Sequence, residues 1–171
     1  MEEILVNKVA QSGLITINLE DWFPKKEIVE LDITQFLFHG LILKEKDFRE
    51  SMAQLDWSQY QKKVLCVYCS TDAIIPVWAY MLIAVQSESF VDSIFFGTKE
   101  SYISHYYSIQ IGQLDISPYA EGRLVIKGCG DLPVPPSAYM DLTARLVPVA
   151  KSIFYGEPCS TVPVFKQKKN I

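Results

Sequence analysis

The sequence has no excess of positive charge, no apolar run long enough to cross a membrane, and only two histidines. Lysines and arginines number 16 against 20 aspartates and glutamates, which gives a net charge of −4. Nucleic-acid binding depends on clustered positive charge, so this balance argues against such a partner. The longest apolar run, Ala73 to Val85, has thirteen residues and contains Pro76. A membrane-spanning helix needs about 20 residues, so no membrane association is expected.

A secretory signal and the familiar catalytic motifs are also missing. The first residues, MEEILVNKVAQS, include two acids where a secretory signal would carry positive charge. The protein is therefore expected to be cytoplasmic, and its four cysteines are expected to be free, metal-bound or reactive rather than cross-linked. The sequence contains no phosphate-binding glycine loop, zinc-protease helix or nucleophile elbow.

Strands and helices alternate from Lys63 onward, which is typical of an α/β protein with parallel strands. Residues 14–20 and 27–33 are predicted to form an N-terminal antiparallel strand pair around the turn at Pro24. The predicted fold is a three-layer α/β sandwich in a single domain, residues 1–171, with a mostly parallel sheet built from two βαβ units. The later predicted elements are strands 63–69, 93–97, 122–129 and 151–155 and helices 74–87, 99–112 and 136–147.

An internal repeat relates residues 63–97 to residues 122–156. The matched residues lie 59 to 60 positions apart throughout. Two equivalent strand–helix–strand units are therefore predicted. The matches are Cys69 with Cys129, Pro76 with Pro136, the Ala-Tyr-Met triplets at 79–81 and 138–140, and SIFFG at 93–97 with SIFYG at 152–156.

Three cysteines, Cys69, Cys129 and Cys159, fall at or just past the ends of predicted parallel strands. In the simplest winding, the strands that precede them are neighbours in one sheet, and ligands bind at the carboxyl edge of such sheets. Adjacent strands are about 4.8 Å apart, so the three thiols are expected to converge. Cys66 stands an odd number of residues from Cys69 in the same strand. It therefore faces the other way and is expected to pack in the core.

Three converging thiolates suit zinc with a fourth ligand, or an iron–sulfur cluster, and this metal site is the first hypothesis. The candidates for the fourth ligand are Asp72, Asp131, Glu157 or water. A second hypothesis is a small-molecule or anion pocket on the same edge, where backbone amides at a helix start favour negative charge. The residues expected to line it are Ser70, Thr71, Lys127, Ser160 and Thr161.

Two further hypotheses stay open. A thiol enzyme needs a base beside its cysteine, and neither His39 nor His105 lies near a cysteine turn in the sequence. The alternative is a non-catalytic interaction or scaffold protein with buried cysteines. The predicted helix 74–87 is apolar nearly all round, so it is expected either to be buried or to form an interface such as a homodimer contact.

Three blocks of the sequence carry a family resemblance: GLILKEKDFRE (40–50), CSTDAIIPVWAYML (69–82) and KSIFYGEPCSTVP (151–163). They resemble a bacterial family catalogued as domain of unknown function 2480, and the resemblance covers almost the whole chain. It implies no particular activity. Genes of this family are associated with iron–sulfur assembly operons, so the resemblance implies a link to iron–sulfur assembly.

Overall fold

The computed structural model describes residues 13–128, 130–157 and 159–168. The chain divides into two compact units. Unit 1 contains the described residues of Met1–Phe23 and Ile103–Ile171, and unit 2 is Pro24–Tyr102. Unit 2 is therefore an insertion between two stretches of unit 1. The expectation of a single domain stays a prediction.

Unit 2 contains a three-stranded parallel sheet in the order β2-β3-β4. Strand β3 is buried on both faces except at its last residue, as expected for the central strand of a parallel sheet. The elements of unit 2 are β2 Ile28–Asp32, a 3₁₀ helix Ile33–Phe36, α1 Glu45–Gln54, a 3₁₀ helix Trp57–Tyr60, β3 Val64–Tyr68, α2 Val77–Ser87 and β4 Ser93–Phe96.

Unit 1 contains a four-stranded sheet in the order β1-β5-β6-β7. The first three strands are parallel, and β7 is antiparallel to β6. The boundary between the units falls inside helix α3 (Lys99–Gln113), after Tyr102. Among the described residues, no helix combines the length and the apolarity that a membrane span requires. The elements are β1 Leu14–Asn18, a 3₁₀ helix Leu19–Trp22, α3 Lys99–Gln113, a 3₁₀ helix Ser117–Tyr119, β5 Arg123–Lys127, α4 Pro136–Leu146, β6 Ser152–Glu157 and β7 Ser160–Lys166.

The two segments of the sequence repeat, 63–97 and 122–156, both contain a strand, a helix and a parallel strand in that order. The inner faces of the two helices match at a constant offset of 59 residues. Ala79, Ile83 and Ser87 are fully buried in α2, and Ala138, Leu142 and Leu146 are fully buried in α4. At this offset, the counterpart of Cys69 is Gly128 rather than Cys129.

The repeat also extends to the strands upstream, which the sequence did not reveal. Asn18 and Asp32 end β1 and β2, and each side chain caps a 3₁₀ helix by accepting from the amide two residues later. The residues that follow, Leu19 and Ile33, are both fully buried. Each unit therefore begins with an edge strand of its sheet, followed by a capped turn.

The mixed α/β fold with mostly parallel strands is confirmed, but two details of the predicted sheet are wrong. Strands β1 and β2 do not form an antiparallel pair, because each pairs in parallel with a later strand of a different sheet. Their connection contains the 3₁₀ helix Leu19–Trp22, which is incompatible with the short loop of a hairpin. The antiparallel pair lies instead at β6 and β7.

The expected single sheet is also wrong, because β3 and β5 belong to separate sheets. In a single doubly wound sheet these two strands would lie side by side. In the structure, β2 lies beside β3 and β1 lies beside β5, so those positions are already occupied. Strand β7, which includes Pro163, was not predicted from the sequence.

The core of unit 2 lies between the sheet and the helices α1 and α2. Phe48 and Met52 from α1 are fully buried beside Leu65 of β3. Cys66 is also fully buried, which confirms its expected packing role. Burial is the main reason that the pKa of Cys66 rises to about 11, with nearby Glu30 and Glu100 adding to the effect. Its thiol therefore stays protonated and behaves as a small apolar group.

The core of unit 1 contains a buried side-chain hydrogen bond between distant parts of the chain. The Tyr107 hydroxyl donates to the carbonyl oxygen of Leu19 at 2.7 Å, and both residues are fully buried. Burial raises the pKa of Tyr107 to about 12. This bond ties α3 to the turn that follows β1.

We predict that Tyr107→Phe lowers the free energy of unfolding by about 1–3 kcal/mol, because the buried carbonyl of Leu19 loses its donor. Urea denaturation at neutral pH measures the loss. The folded pKa lies above the unfolded value, so the advantage of the wild type is complete below pH 10 and decreases as the pH rises towards 12. A difference below about 0.5 kcal/mol at neutral pH would show that this bond contributes little to stability.

Candidate functional site

Cys69 directly follows β3 and lies half-buried at the carboxyl edge of the sheet in unit 2. Its Sγ atom lies 3.4 Å from the Thr34 Oγ1 atom and 3.5 Å from the Thr71 Oγ1 atom. The Thr71 hydroxyl also donates to the carbonyl oxygen of Gly40 at 3.0 Å. A hydroxyl has a single proton, so with that proton on the carbonyl the Thr71 oxygen can only accept from the Cys69 thiol.

The edge around Cys69 is connected by further hydrogen bonds between the ends of β2 and β3. The Ser70 amide donates to Asp32 Oδ1 and to Thr34 Oγ1, both at 3.1 Å. Burial raises the pKa of Asp32, but hydrogen bonds from Ser70 and Thr34 to its carboxylate outweigh burial, so the pKa is lowered. The carboxylate is therefore ionised at neutral pH and holds the loop after β3 in place.

The pKa of Cys69 is lowered from its ordinary value. Burial raises the pKa, but hydrogen bonds from Thr34 and Thr71 favour the thiolate more strongly, while the negative charge of Asp32 opposes them. Because the Thr71 hydroxyl proton points to Gly40, the donors that can serve a thiolate are the Thr34 hydroxyl and the Thr71 amide. The surroundings of Cys69 thus favour a thiolate.

The corresponding edge of unit 1 is built with different chemistry. Glu20 occupies the position that Thr34 has in unit 2, two residues after the capping side chain. Its carboxylate accepts a hydrogen bond from the Leu132 amide at 3.1 Å. A side chain at Gly130 would meet this carboxylate at 2.7 Å, so only glycine fits there without a shift. A carboxylate at this position cannot donate to a thiolate, so the two edges are not chemically equivalent.

The remaining predicted metal ligands are distributed over both units. Cys129 lies outside the described residues. Cys159 is exposed in the turn between β6 and β7, and Asp72 and Asp131 are also exposed. Glu157 forms an ion pair with Lys127, whose Nζ atom lies 3.2 Å from both carboxylate oxygens. Glu157 and Lys127 therefore neutralise each other.

The predicted convergence of the thiols required that the strands before the cysteines belong to one sheet, and they belong to two. Cys69 follows a strand of the three-stranded sheet, whereas Cys159 follows a strand of the four-stranded sheet. Within the part of the chain that the structure describes, no group of three histidine, cysteine, aspartate or glutamate side chains is arranged to hold a metal ion. The described residues therefore give the predicted three-cysteine site no support.

An anion pocket at this edge is also disfavoured in unit 2. The Ser70 amide already donates to Asp32 and Thr34, and the ionised carboxylate of Asp32 would repel an anion. Ser160 and Thr161 belong to β7, where they pair with Glu157 and Gly156 of β6. Ser70 and Thr71 therefore follow a strand of one sheet, whereas Ser160 and Thr161 lie in a strand of the other.

Sequence reasoning missed Thr34 as a partner of Cys69. Asp32 caps the 3₁₀ helix Ile33–Phe36 by accepting from the amide of Thr34, which places Thr34 in the first turn after β2. The signal that points to the site is the parallel pairing of β2 with β3, which brings the end of one strand beside the end of the other. The predicted hairpin of β1 and β2 concealed that pairing.

A second feature that sequence reasoning located only in part is the apolar surface of unit 2. One row of α2 faces solvent with Val77, Met81 and Val85 at 73%, 64% and 73% exposure, and Ile74 just before the helix is 92% exposed. We call these four residues the outer face of α2. Phe96 of β4 is 71% exposed, and its ring centroid lies 5.1 Å from that of Tyr80.

Unit 1 carries an apolar groove at the corresponding place. The groove lies between α4 and strands β6 and β7 and has a volume of about 590 Å³, and the equivalent cavity of unit 2 measures about 160 Å³. Val164 of β7 forms one wall of the larger groove. Six lining residues of the groove stand 59 positions after the residues that line the smaller cavity, which are Val67, Tyr80, Ala84, Ile94, Phe95 and Phe96.

Comparison with known proteins identifies one match. A family model described as a protein of unknown function (DUF2480) matches residues 3–167 of the chain. No curated protein and no solved structure matches.

We predict that Thr34→Val raises the pKa of Cys69 more than Thr71→Val does, because the Thr71 amide persists in the second variant. The measurement is the pH dependence of iodoacetamide labelling at Cys69, followed by mass spectrometry of the modified peptide. Thr161→Val in unit 1 is the control and should leave the labelling profile unchanged. A larger effect of Thr71→Val would show that the Thr71 hydroxyl, and not the Thr34 hydroxyl, donates to the sulfur.

Proposed function

Because the chain belongs to the DUF2480 family of unknown function, we propose its function from its surfaces: it is a binding protein that associates with protein partners through apolar surfaces on its two units. The observation that carries the proposal is the recurrence of these surfaces at matched positions. Met81 of α2 and Met140 of α4 stand 59 residues apart and are 64% and 73% exposed. Methionine side chains adapt readily to the shapes of apolar partners.

The amount of apolar side chain on these surfaces supports an association role. Single exposed apolar residues are ordinary, whereas contiguous apolar patches mark interaction sites. In unit 2 the outer face of α2 places three aliphatic side chains on successive helical turns. In unit 1 the groove is bordered by Met140, Tyr155 and Val164, which are all exposed. Burial of these side chains against a partner lowers the free energy of the complex, because it removes apolar surface from water.

We predict that Met81→Lys or Met140→Lys weakens partner binding at least tenfold, because an unpaired charge would be buried at the contact; a loss of about 1.4 kcal/mol suffices. Two measurements test this. One is sedimentation velocity of the purified chain, and the other is quantitative recovery of proteins that co-purify with the tagged chain.

The control for this prediction is Ala53→Lys, which adds the same charge to an exposed position of α1. It should leave every association intact. Circular dichroism must show that all three variants are folded. Associations that survive both methionine substitutions would show that the apolar surfaces are not binding sites.

A second candidate function is the binding of a thiophilic metal, zinc or an iron–sulfur cluster, with Cys69 as a ligand. The observation that favours it is the lowered pKa of Cys69, since the thiolate is the form that binds metals. This function would agree with the iron–sulfur connection that the family resemblance implies.

We predict for this second candidate that protein purified without oxygen contains zinc or iron in stoichiometric amount. Cys69→Ala should lose the metal, because it removes the ligand. Cys66→Ala should retain it, because Cys66 is fully buried in the core. Elemental analysis measures the content, and absence of metal from the wild type would exclude this candidate.

A further inference from the structure

We infer that the outer face of α2 binds the same face of a second copy of this chain, so that the protein forms a two-fold homodimer through unit 2. The inference rests on the proposed function and names the partner for one of its two surfaces. It follows from the charge, the continuity and the geometry of this face.

The charge of the face suits self-association. A two-fold contact sets each residue near its own copy, so any charged side chain there would meet a charge of the same sign. Helix α2, VWAYMLIAVQS, contains no charged residue at all. A partner recognised through opposite charges would have no group here to pair with. The face is therefore compatible with itself.

The face continues from the helix onto the sheet. Tyr80 and Ala84, one row inward on α2, line a cavity together with Ile94 and Phe96 of β4. Ile94 and Phe96 are both exposed. A specific interface buries about 800 Å² on each partner, which a single helical row does not supply. The adjoining strand extends the apolar area beyond that row.

The spacing of the exposed residues fits helix-on-helix packing. Val77, Met81 and Val85 are spaced by four residues and form one ridge along α2. Ridges of this spacing on two helices interdigitate at a crossing angle of about −50°, the commonest helix packing in globular proteins. Met81 stands at the middle of the ridge, so it lies closest to the two-fold axis.

Unit 1 supplies an internal comparison that favours α2 over α4. At the positions that match Val77 and Val85, α4 has Pro136 and Ala144. Helix α4 also contains Asp141 and Arg145, so it is not free of charge. Its outer row is therefore shorter in side-chain reach and less suited to a two-fold contact.

The test uses the full chain with a charge of either sign at residue 81. Sedimentation equilibrium should show a wild-type dimer, whereas Met81→Lys and Met81→Glu should each raise the dimer dissociation constant at least tenfold through repulsion across the axis. An equimolar mixture of the two variants should form a heterodimer, because the charges are then opposite. Ala53→Lys, which adds a charge at an exposed position of α1, should leave the dimer intact, and Met140→Lys, the matched substitution in unit 1, is measured for comparison.

Each other result overturns the inference. A wild type that stays monomeric at about 100 µM excludes a dimer of useful affinity, and a mixture that dimerises no better than either variant excludes a two-fold contact at Met81. A dimer lost only in Met140→Lys places the contact on unit 1. If the dimer is lost only in Met140→Lys, the proposed function stands although the inference fails. The same holds if the protein is a monomer and Met81→Lys loses a different protein partner. A dimer or partner unaffected by substitutions on both units contradicts the proposed function as well.

Discussion

Both units depend on one constraint, the packing of a helix across two parallel strands. A parallel pair needs a crossover, and the crossover helix must bury one row of side chains against the sheet. In unit 2 this row begins with Ala79, and in unit 1 it begins with Ala138, both fully buried. A small first residue allows the helix to approach the strands closely. Because only this row is fixed by the fold, the opposite row of each helix is free to serve other purposes.

Local sequence was sufficient to predict the two crossover units, but it did not determine how the strands are arranged in sheets. The alternation of apolar residues in β3 and the length of the following helix depend on neighbouring residues, so both were readable. Which strand lies beside β3 or β5 depends on residues far away in the chain. The pairing of Leu14 with Arg123 and of Ile28 with Val64 could not be recognised from either segment alone. A plausible local hairpin was therefore predicted in place of two distant pairings.

The candidate site shows the same limit at the level of single residues. Strand geometry predicted that Cys66 packs in the core, and the structure agrees, since Cys66 is fully buried in β3, whereas Cys69 is half-buried just past the end of that strand. The hydrogen bond between the Thr34 hydroxyl and the Cys69 thiol depends on the pairing of β2 with β3, which was not predicted from the sequence. The repeat also suggested that Cys69 and Cys129 have equivalent surroundings. The substitution of Glu20 for Thr34 at the matched position shows that duplicated strands need not carry duplicated chemistry.

The order of the units along the chain has a consequence for how each is built. Unit 2 is continuous, so its three strands pair across connections that lie within the unit itself, whereas β1 and β5 of unit 1 are separated by the whole of unit 2. Closing a long flexible loop costs conformational entropy that grows with its length. A folded unit 2 shortens the flexible part of that loop, so unit 1 gains from the prior folding of its insertion. The outer face of α2 therefore lies on the unit whose sheet needs no strand from the rest of the chain.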